Sequence, residues 1–125
     1  MIFDRMFYKN DIFEAAMQAS ILKNDVIQNN IANADVPNFK KKTVVFDKAL
    51  SDAIDASKGS GRLDLTNVRP KVIEVNSNHK TRIDGNGVDV ETEMVDLYTN
   101  SVRFDVMQAS VARFSNSLSL VTTTR

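Results

Sequence analysis

The sequence predicts a mostly α fold. Two long terminal helices form an antiparallel, coiled-coil-like pair. A short irregular middle region joins them, with a short helix and a β-hairpin as its candidate elements. Three observations carry this expectation. A seam of mainly apolar residues, spaced alternately by three and four, runs through the last third of the chain. A second amphipathic stretch fills residues 11–34 and stops ahead of a proline. Between the two, the apolar pattern loses its period, and glycine, serine and asparagine collect. At 125 residues the chain is read as one unit, with an N-terminal helical part over 1–36, a middle region over 37–88 and a C-terminal helix over 89–125.

The first helix is expected from Asp11, where Asp11 followed by Glu14 fits a capping box; an earlier turn near Asp4 is the alternative start. Ile12, Ala15, Ala19, Leu22 and Val26 form one helix face, and Phe13, Met17, Ile27, Ile31 and Ala34 a second beside it. The helix should stop before Pro37, because the residue preceding proline is pushed out of the α region. Asn33 and Asp35 suit the exit, since both tolerate unusual backbone angles and bond their own backbone. In the middle, Phe46, Leu50 and Ile54 are spaced by four and predict a short helix near 46–56. Ser57-Lys58-Gly59-Ser60-Gly61 and Asn76-Ser77-Asn78-His79-Lys80 read as loops. Val72, Ile73 and Val75 could form a brief strand, although a lone hairpin is marginal in water. The run Lys40-Lys41-Lys42 reads as a solvated loop.

The last helix is expected to start at Asp89 as its N-cap, with Glu91 and Glu93 in the first turn, where the helix dipole favours negative charge. Its seam runs Val90, Glu93, Leu97, Asn100, Phe104, Met107, Val111, Phe114, Leu118 and Val121, and only Glu93 and Asn100 are not apolar. A neighbouring stripe follows through Val95, Tyr98, Val102, Ala109 and Ala112. One narrow seam suffices to pair two helices, so a second seam needs another partner. Either each helix packs on several neighbours in an oligomer, or the middle folds over to complete a compact bundle. A polar residue in a seam costs stability but can fix register. That is the role expected for Asn100, whereas Asn29 and Asn33, which continue the first seam, are read for Asn33 as a helix end.

Several function classes are excluded or disfavoured. Sixteen basic and sixteen acidic residues cancel, so neither nucleic acid nor an anionic membrane is indicated as a partner. With no cysteine there is neither a disulfide nor a thiolate metal site. His79 is the single histidine and cannot by itself build a zinc site or a nucleophilic triad. Asp84-Gly85-Asn86-Gly87-Val88-Asp89 lacks the ligand order of a calcium loop, and there is no phosphate-binding glycine loop. No catalytic, cofactor-binding or metal residue is therefore expected, and no enzyme or small-molecule substrate. No stretch approaches the roughly 20 apolar residues of a membrane span, and the N-terminus makes a poor secretory signal.

The string Asn30-Ile31-Ala32-Asn33-Ala34-Asp35-Val36-Pro37-Asn38-Phe39-Lys40 resembles the Asn-Ile-Ala-Asn-Ala-Asp-Thr-Pro-Gly-Tyr-Lys signature of bacterial flagellar rod and hook proteins. Asp84-Gly85-Asn86-Gly87-Val88-Asp89 is similar to the Asp-Gly-Asn-Thr-Val-Asp that precedes the C-terminal helix in the proximal rod branch of that family. Phe46 to Leu50, the chain length and the layout agree as well, so the resemblance covers most of the chain. Val36, Asn38, Phe39 and Gly87 depart from the pattern. Asn38 can still take the positive φ of the glycine it replaces; Phe39 lacks the phenol; Gly87 loosens the second turn.

The resemblance implies a structural subunit of the periplasmic rod, a pair of antiparallel helices that stacks with itself and with other rod subunits into the flagellar drive shaft. It implies export by the flagellar type III apparatus without a cleaved signal. It also implies contact with the rod-base adaptor and the export gate, and terminal helices that are partly unfolded before assembly. The residues it marks are the rod signature turn (Asn30, Ile31, Ala32, Asn33, Ala34, Asp35, Pro37, Asn38, Phe39) and the second turn (Asp84, Gly85, Asn86, Val88, Asp89). The assembly seams expected beside them are Leu22, Val26, Leu97, Phe104, Met107, Val111, Phe114, Leu118 and Val121. The competing expectation is a small soluble helical binding module, an adaptor or chaperone, that grips one partner helix.

Overall fold

The computed structural model describes residues 2–60, 63–75 and 83–123; of residues 2–7 and 60 only the helical backbone is described. His79, the loop expected at 76–80 and Gly61 lie outside the described residues. The elements in chain order are α1 (Ile2–Ala32), β1 (Lys42–Val45), α2 (Asp47–Ser60), β2 (Lys71–Glu74) and α3 (Val90–Thr123). The fold is mostly helical, and α1 and α3 pack on each other as the periodicity predicts. At about 1.5 Å per residue, α1 is about 46 Å long and α3 about 51 Å.

α1 begins well before Asp11. No glycine or proline interrupts residues 2–32, so nothing forces a start there, and Asp11 and Glu14 are exposed outward-facing residues of a continuous helix rather than a cap. The exit lies where it was expected. The Asn33 amide is shared between the Asn29 and Asn30 carbonyls, at 3.2 and 3.1 Å, and its side chain folds back on Asn29 O at 2.7 Å. Asn33 is thus a helix end, and Asn29 is exposed rather than part of the seam. The buried asparagine of this turn is Asn30.

α2 outruns its predicted end. Ser57, Lys58 and Gly59 are helical, because Ser57 Oγ bonds Ile54 O at 2.6 Å and Lys58 pairs with Asp55 at 2.7 Å, extending the helix past the apolar pattern. The β pairing is not a local hairpin. β1 and β2 are antiparallel, with Lys42 opposite Glu74 and Val45 opposite Lys71, yet α2 lies between them in the chain. The lysine run is correspondingly not a free loop: Lys42 starts β1, and Lys40 reaches Glu74 at 3.7 Å across the sheet. Two strands are marginal alone; this pair is held from beneath. Val44, Ala49, Leu50, Ala53 and Leu65 pack with Ala15 and Ala16 around a small core of Ala19, Phe46 and Val68. The alanines of α1 let β1 approach its backbone closely.

Candidate functional site

The two turn motifs, fifty residues apart in sequence, are one structure. The Asn86 side chain is fully buried and enters the exit turn of α1. Its Nδ2 donates toward three carbonyls, those of Asn33 (3.0 Å), Ala34 (2.8 Å) and Val36 (2.7 Å). Its Oδ1 accepts from Val88 N at 2.7 Å. These carbonyls belong to the turn that follows α1, where those of Asn33 and Val36 also accept the Val36 and Phe39 amides, so one carboxamide gathers the exit turn from the far end of the chain. The main chains join alongside: Asn38 N donates to Asp84 O at 3.3 Å and Gly87 N to Phe39 O at 3.1 Å. Asn38 stands at φ 59° and Gly85 at φ 79°, where asparagine and glycine pay the least for a left-handed backbone. A Cβ on Gly85 would come within 2.6 Å of Asn38 Oδ1. Asp35, Val36 and Pro37 form the exposed crest of the turn, with Phe39 half-buried beneath it.

A second polar cluster ties β1 to both helices. Asn30 is fully buried, and its amide reads the Lys42 backbone as a strand would: Nδ2 donates to Lys42 O at 2.8 Å, and Lys42 N donates to Oδ1 at 3.0 Å. The same Nδ2 donates to Glu93 Oε2 at 2.8 Å. Glu93 Oε1 pairs with the Lys41 ammonium. A buried carboxylate is tolerable only when paired and hydrogen-bonded, and Glu93 is both, in the first turn of α3, where the helix dipole adds to the attraction. Asp89 starts that helix as expected: Oδ1 accepts from Glu91 N at 3.2 Å and Oδ2 from Thr92 Oγ1 at 2.8 Å. The Thr92 hydroxyl, followed by the Thr92 and Glu91 amides and the Lys41 charge, holds the Asp89 carboxyl below its ordinary value.

The third cluster lies further along the helix pair. Asn100, buried in the middle of α3, donates to Ser20 O (2.8 Å) and Asn24 Oδ1 (2.7 Å), and accepts from Ser20 Oγ (3.0 Å). Pairing Ser20 with Asn100, Asn30 with Glu93 and Ala34 with Asn86 runs the two helices antiparallel and fixes their register. Asn100 was expected to do this. Asn30, Glu93 and Lys41 lay in motifs whose bonding was not foreseen, and Ser20 and Asn24 were missed. The available signal was polarity out of place: Glu93 and Asn100 are the two polar members of an otherwise apolar seam.

The apolar residues divide by face. Val26 and Ala34 are buried, and Leu22, Leu97, Phe104, Met107, Val111, Phe114 and Leu118 are half-buried along the α1–α3 side. Val121 departs from the expected seam: it is 71% exposed, because it stands within the last turn of α3. The second stripe of α3 is open. Val95, Tyr98, Val102 and Val106 are exposed, Tyr98 to 75%, and Ala109 and Ala112 with them. Val102 and Val106 also border an open groove of about 400 Å³ over Ala16 and Ala19, with Phe46 and Leu50 on its other wall. No helix is long and apolar enough to cross a membrane among the described residues.

Residues 14–40 match the family of flagella basal body rod proteins. Over 115 residues the chain is 34% identical to the flagellar basal body rod protein FlgB of Bacillus subtilis, covering 88% of this chain and 89% of that one. It is 31% identical over 121 residues to the protein of that name from Proteus mirabilis, covering 84% and 85%. The counterpart in Borrelia hermsii is 28% identical over 127 residues, covering 89% and 93%. The matched region contains the exit turn of α1, and the longer alignments take in the second turn that closes on it. The chain belongs to the FlgB family of flagellar basal body rod proteins, structural components of the bacterial flagellum rather than enzymes.

Proposed function

We propose that this chain is a self-assembling subunit of the proximal rod, packing against copies of itself and other rod subunits to build the drive shaft. The observation that carries this reading is the open stripe of α3. Val95, Tyr98, Val102 and Val106 lie on one exposed flank of a helix whose other side is already occupied by α1. A contiguous exposed apolar strip marks an interaction site. Each large apolar side chain it buries would contribute about 1.5–3 kcal/mol, repeated at every subunit. The groove between α2 and α3 offers the adjoining surface on which a neighbour's helix could lie. The rod-base adaptor and the export gate are further partners in this reading, and the subunit reaches the periplasm through the flagellar export apparatus without a cleaved signal. Ordering on assembly would concern the ends of the terminal helices, beyond the reach of the polar clusters. Electron micrographs of basal bodies from a strain lacking this protein test the assignment. The expected image is a basal body without a rod; a complete rod would overturn it.

A further inference from the structure

We propose that Asn86 is a latent deamidation site, kept intact by the clasp it builds. It is the one asparagine in the sequence that is followed by glycine. With no side chain at Gly87, nothing shields that residue's amide nitrogen from the Asn86 carboxamide. In an open chain, the Gly87 nitrogen gives its proton to solvent base and attacks Asn86 Cγ. The new N–Cγ bond closes a five-membered succinimide ring, and the Cγ–Nδ2 bond breaks, releasing ammonia. Water then opens the ring at either carbonyl, leaving an aspartyl or an isoaspartyl linkage. No oxidant, reductant or partner beyond water is needed.

The folded chain blocks each stage. The nucleophile is occupied, since Gly87 N donates to Phe39 O at 3.1 Å. The carboxamide is held at both ends, with Oδ1 on Val88 N and Nδ2 against the carbonyls of Asn33, Ala34 and Val36. Rotating Cγ toward the Gly87 nitrogen would break those bonds. Asn86 itself is fully buried, so water has no access to its carboxamide carbon, and the proton of the half-buried Gly87 amide points at the Phe39 carbonyl rather than at a solvent base. Reaction therefore requires the clasp to open, and its rate in the folded chain is the open-chain rate scaled by the open fraction. The product cannot refasten. A carboxylate in place of the amide has no hydrogens to offer, and it would face three carbonyl oxygens from a position closed to bulk solvent.

The test incubates the full chain at mildly alkaline pH, in buffer and in concentrated urea, and follows each asparagine by peptide mass mapping with an isoaspartyl assay. In urea, Asn86 should convert ahead of Asn100 and Asn116, giving mixed aspartyl and isoaspartyl products. In buffer its conversion should slow by at least about tenfold, each factor of ten reading about 1.4 kcal/mol of clasp opening. Gly85→Ala, which drives a Cβ onto Asn38 without touching the reacting atoms, should raise the rate in buffer. Hydrogen exchange of the Val88 amide in the same samples reports clasp opening directly, and it should accelerate by the same factor. Equal rates in buffer and urea would overturn the proposal. So would a Gly85→Ala variant whose Val88 amide exchanges faster while Asn86 converts no faster.

Discussion

The turn end of the helix pair and the outer flank of α3 are built on opposite rules. At the turn end and along the adjoining helix pair, polar side chains are buried among apolar ones: Asn30, Asn86, Glu93 and, further along, Asn100 are sealed beside Val26, Ile27, Ala34 and Val88, each polar group with hydrogen-bonding partners inside the chain. On the outer flank, apolar side chains are exposed and no polar cluster organises them: Val95, Tyr98, Val102 and Val106 face outward. Burying a polar group is costly unless its partner is placed accurately, so the first region specifies one arrangement of this chain. Apolar contact is non-directional, so the second leaves room for a partner that arrives later. The difference separates residues that define the subunit from residues that serve its assembly.

The largest effect should come from breaking the buried ion pair. Glu93→Ala leaves Lys41 and Asn30 facing a site that has lost its acceptor. Removing one member of a buried pair costs about 3–5 kcal/mol, and because Lys41 retains partial access to solvent the lower end is expected. Urea unfolding would read it as a drop in midpoint with the slope unchanged; an unaltered midpoint would mean the cluster is not stabilising. Asn86→Ala should come next. It removes the acceptor of the buried Val88 amide and the donor that gathers the exit-turn carbonyls, at about 1–3 kcal/mol for the buried amide. The same measurement should show a loss of that order, with protection lost first at residues 33–38.

A smaller effect concerns acid. Asp89 has a folded carboxyl pKa lowered from 3.8, chiefly by the Thr92 hydroxyl. Its contribution is therefore present above pH 3.8 and is lost as the pH falls through the lowered value. Thermal melting of Asp89→Asn against the parent chain should show a difference near neutrality that shrinks below pH 3.8. A difference that grows on acidification would contradict this sign. Asp89 is exposed, and the effect comes chiefly from its capping bonds to Thr92 and Glu91, with a smaller part from the Lys41 charge.

Both long helices were legible because their signals are local and periodic. The 3-and-4 spacing from Leu97 to Leu118 needs no knowledge of the rest of the chain, and Asp89 announces α3 by its side chain alone. The residue pattern leaves the start of α1 between Asp11 and an earlier turn near Asp4, because Asp11 and Glu14 carry the residue types of a capping box, while a helix continuing through them, as α1 does, places the same residues in solvent at little cost. β1 was hidden for a different reason. Lys41 and Lys42 look like solvated residues, and what makes them part of a strand and an ion pair is a distant asparagine and a distant glutamate. Each turn motif was visible in isolation, but their closure was not. A carboxamide that bonds three main-chain carbonyls leaves no trace in the identity of the residues it bonds, since any residue supplies a carbonyl.

The smallest expected effect on stability carries the most information on function. Val106→Asp alters an exposed position on the flank of α3 that takes no part in the hydrogen bonds of the three polar clusters. Surface substitutions of this kind stay within about 0.5 kcal/mol. Swimming of a strain carrying Val106→Asp, in which the protein is made at normal levels and melts with the parent chain, tests most directly whether the outer flank serves assembly. Lost motility with a truncated or absent rod is the predicted result. Normal swimming on a complete rod would contradict the division of the molecule into a part that defines the subunit and a part that joins it to its neighbours.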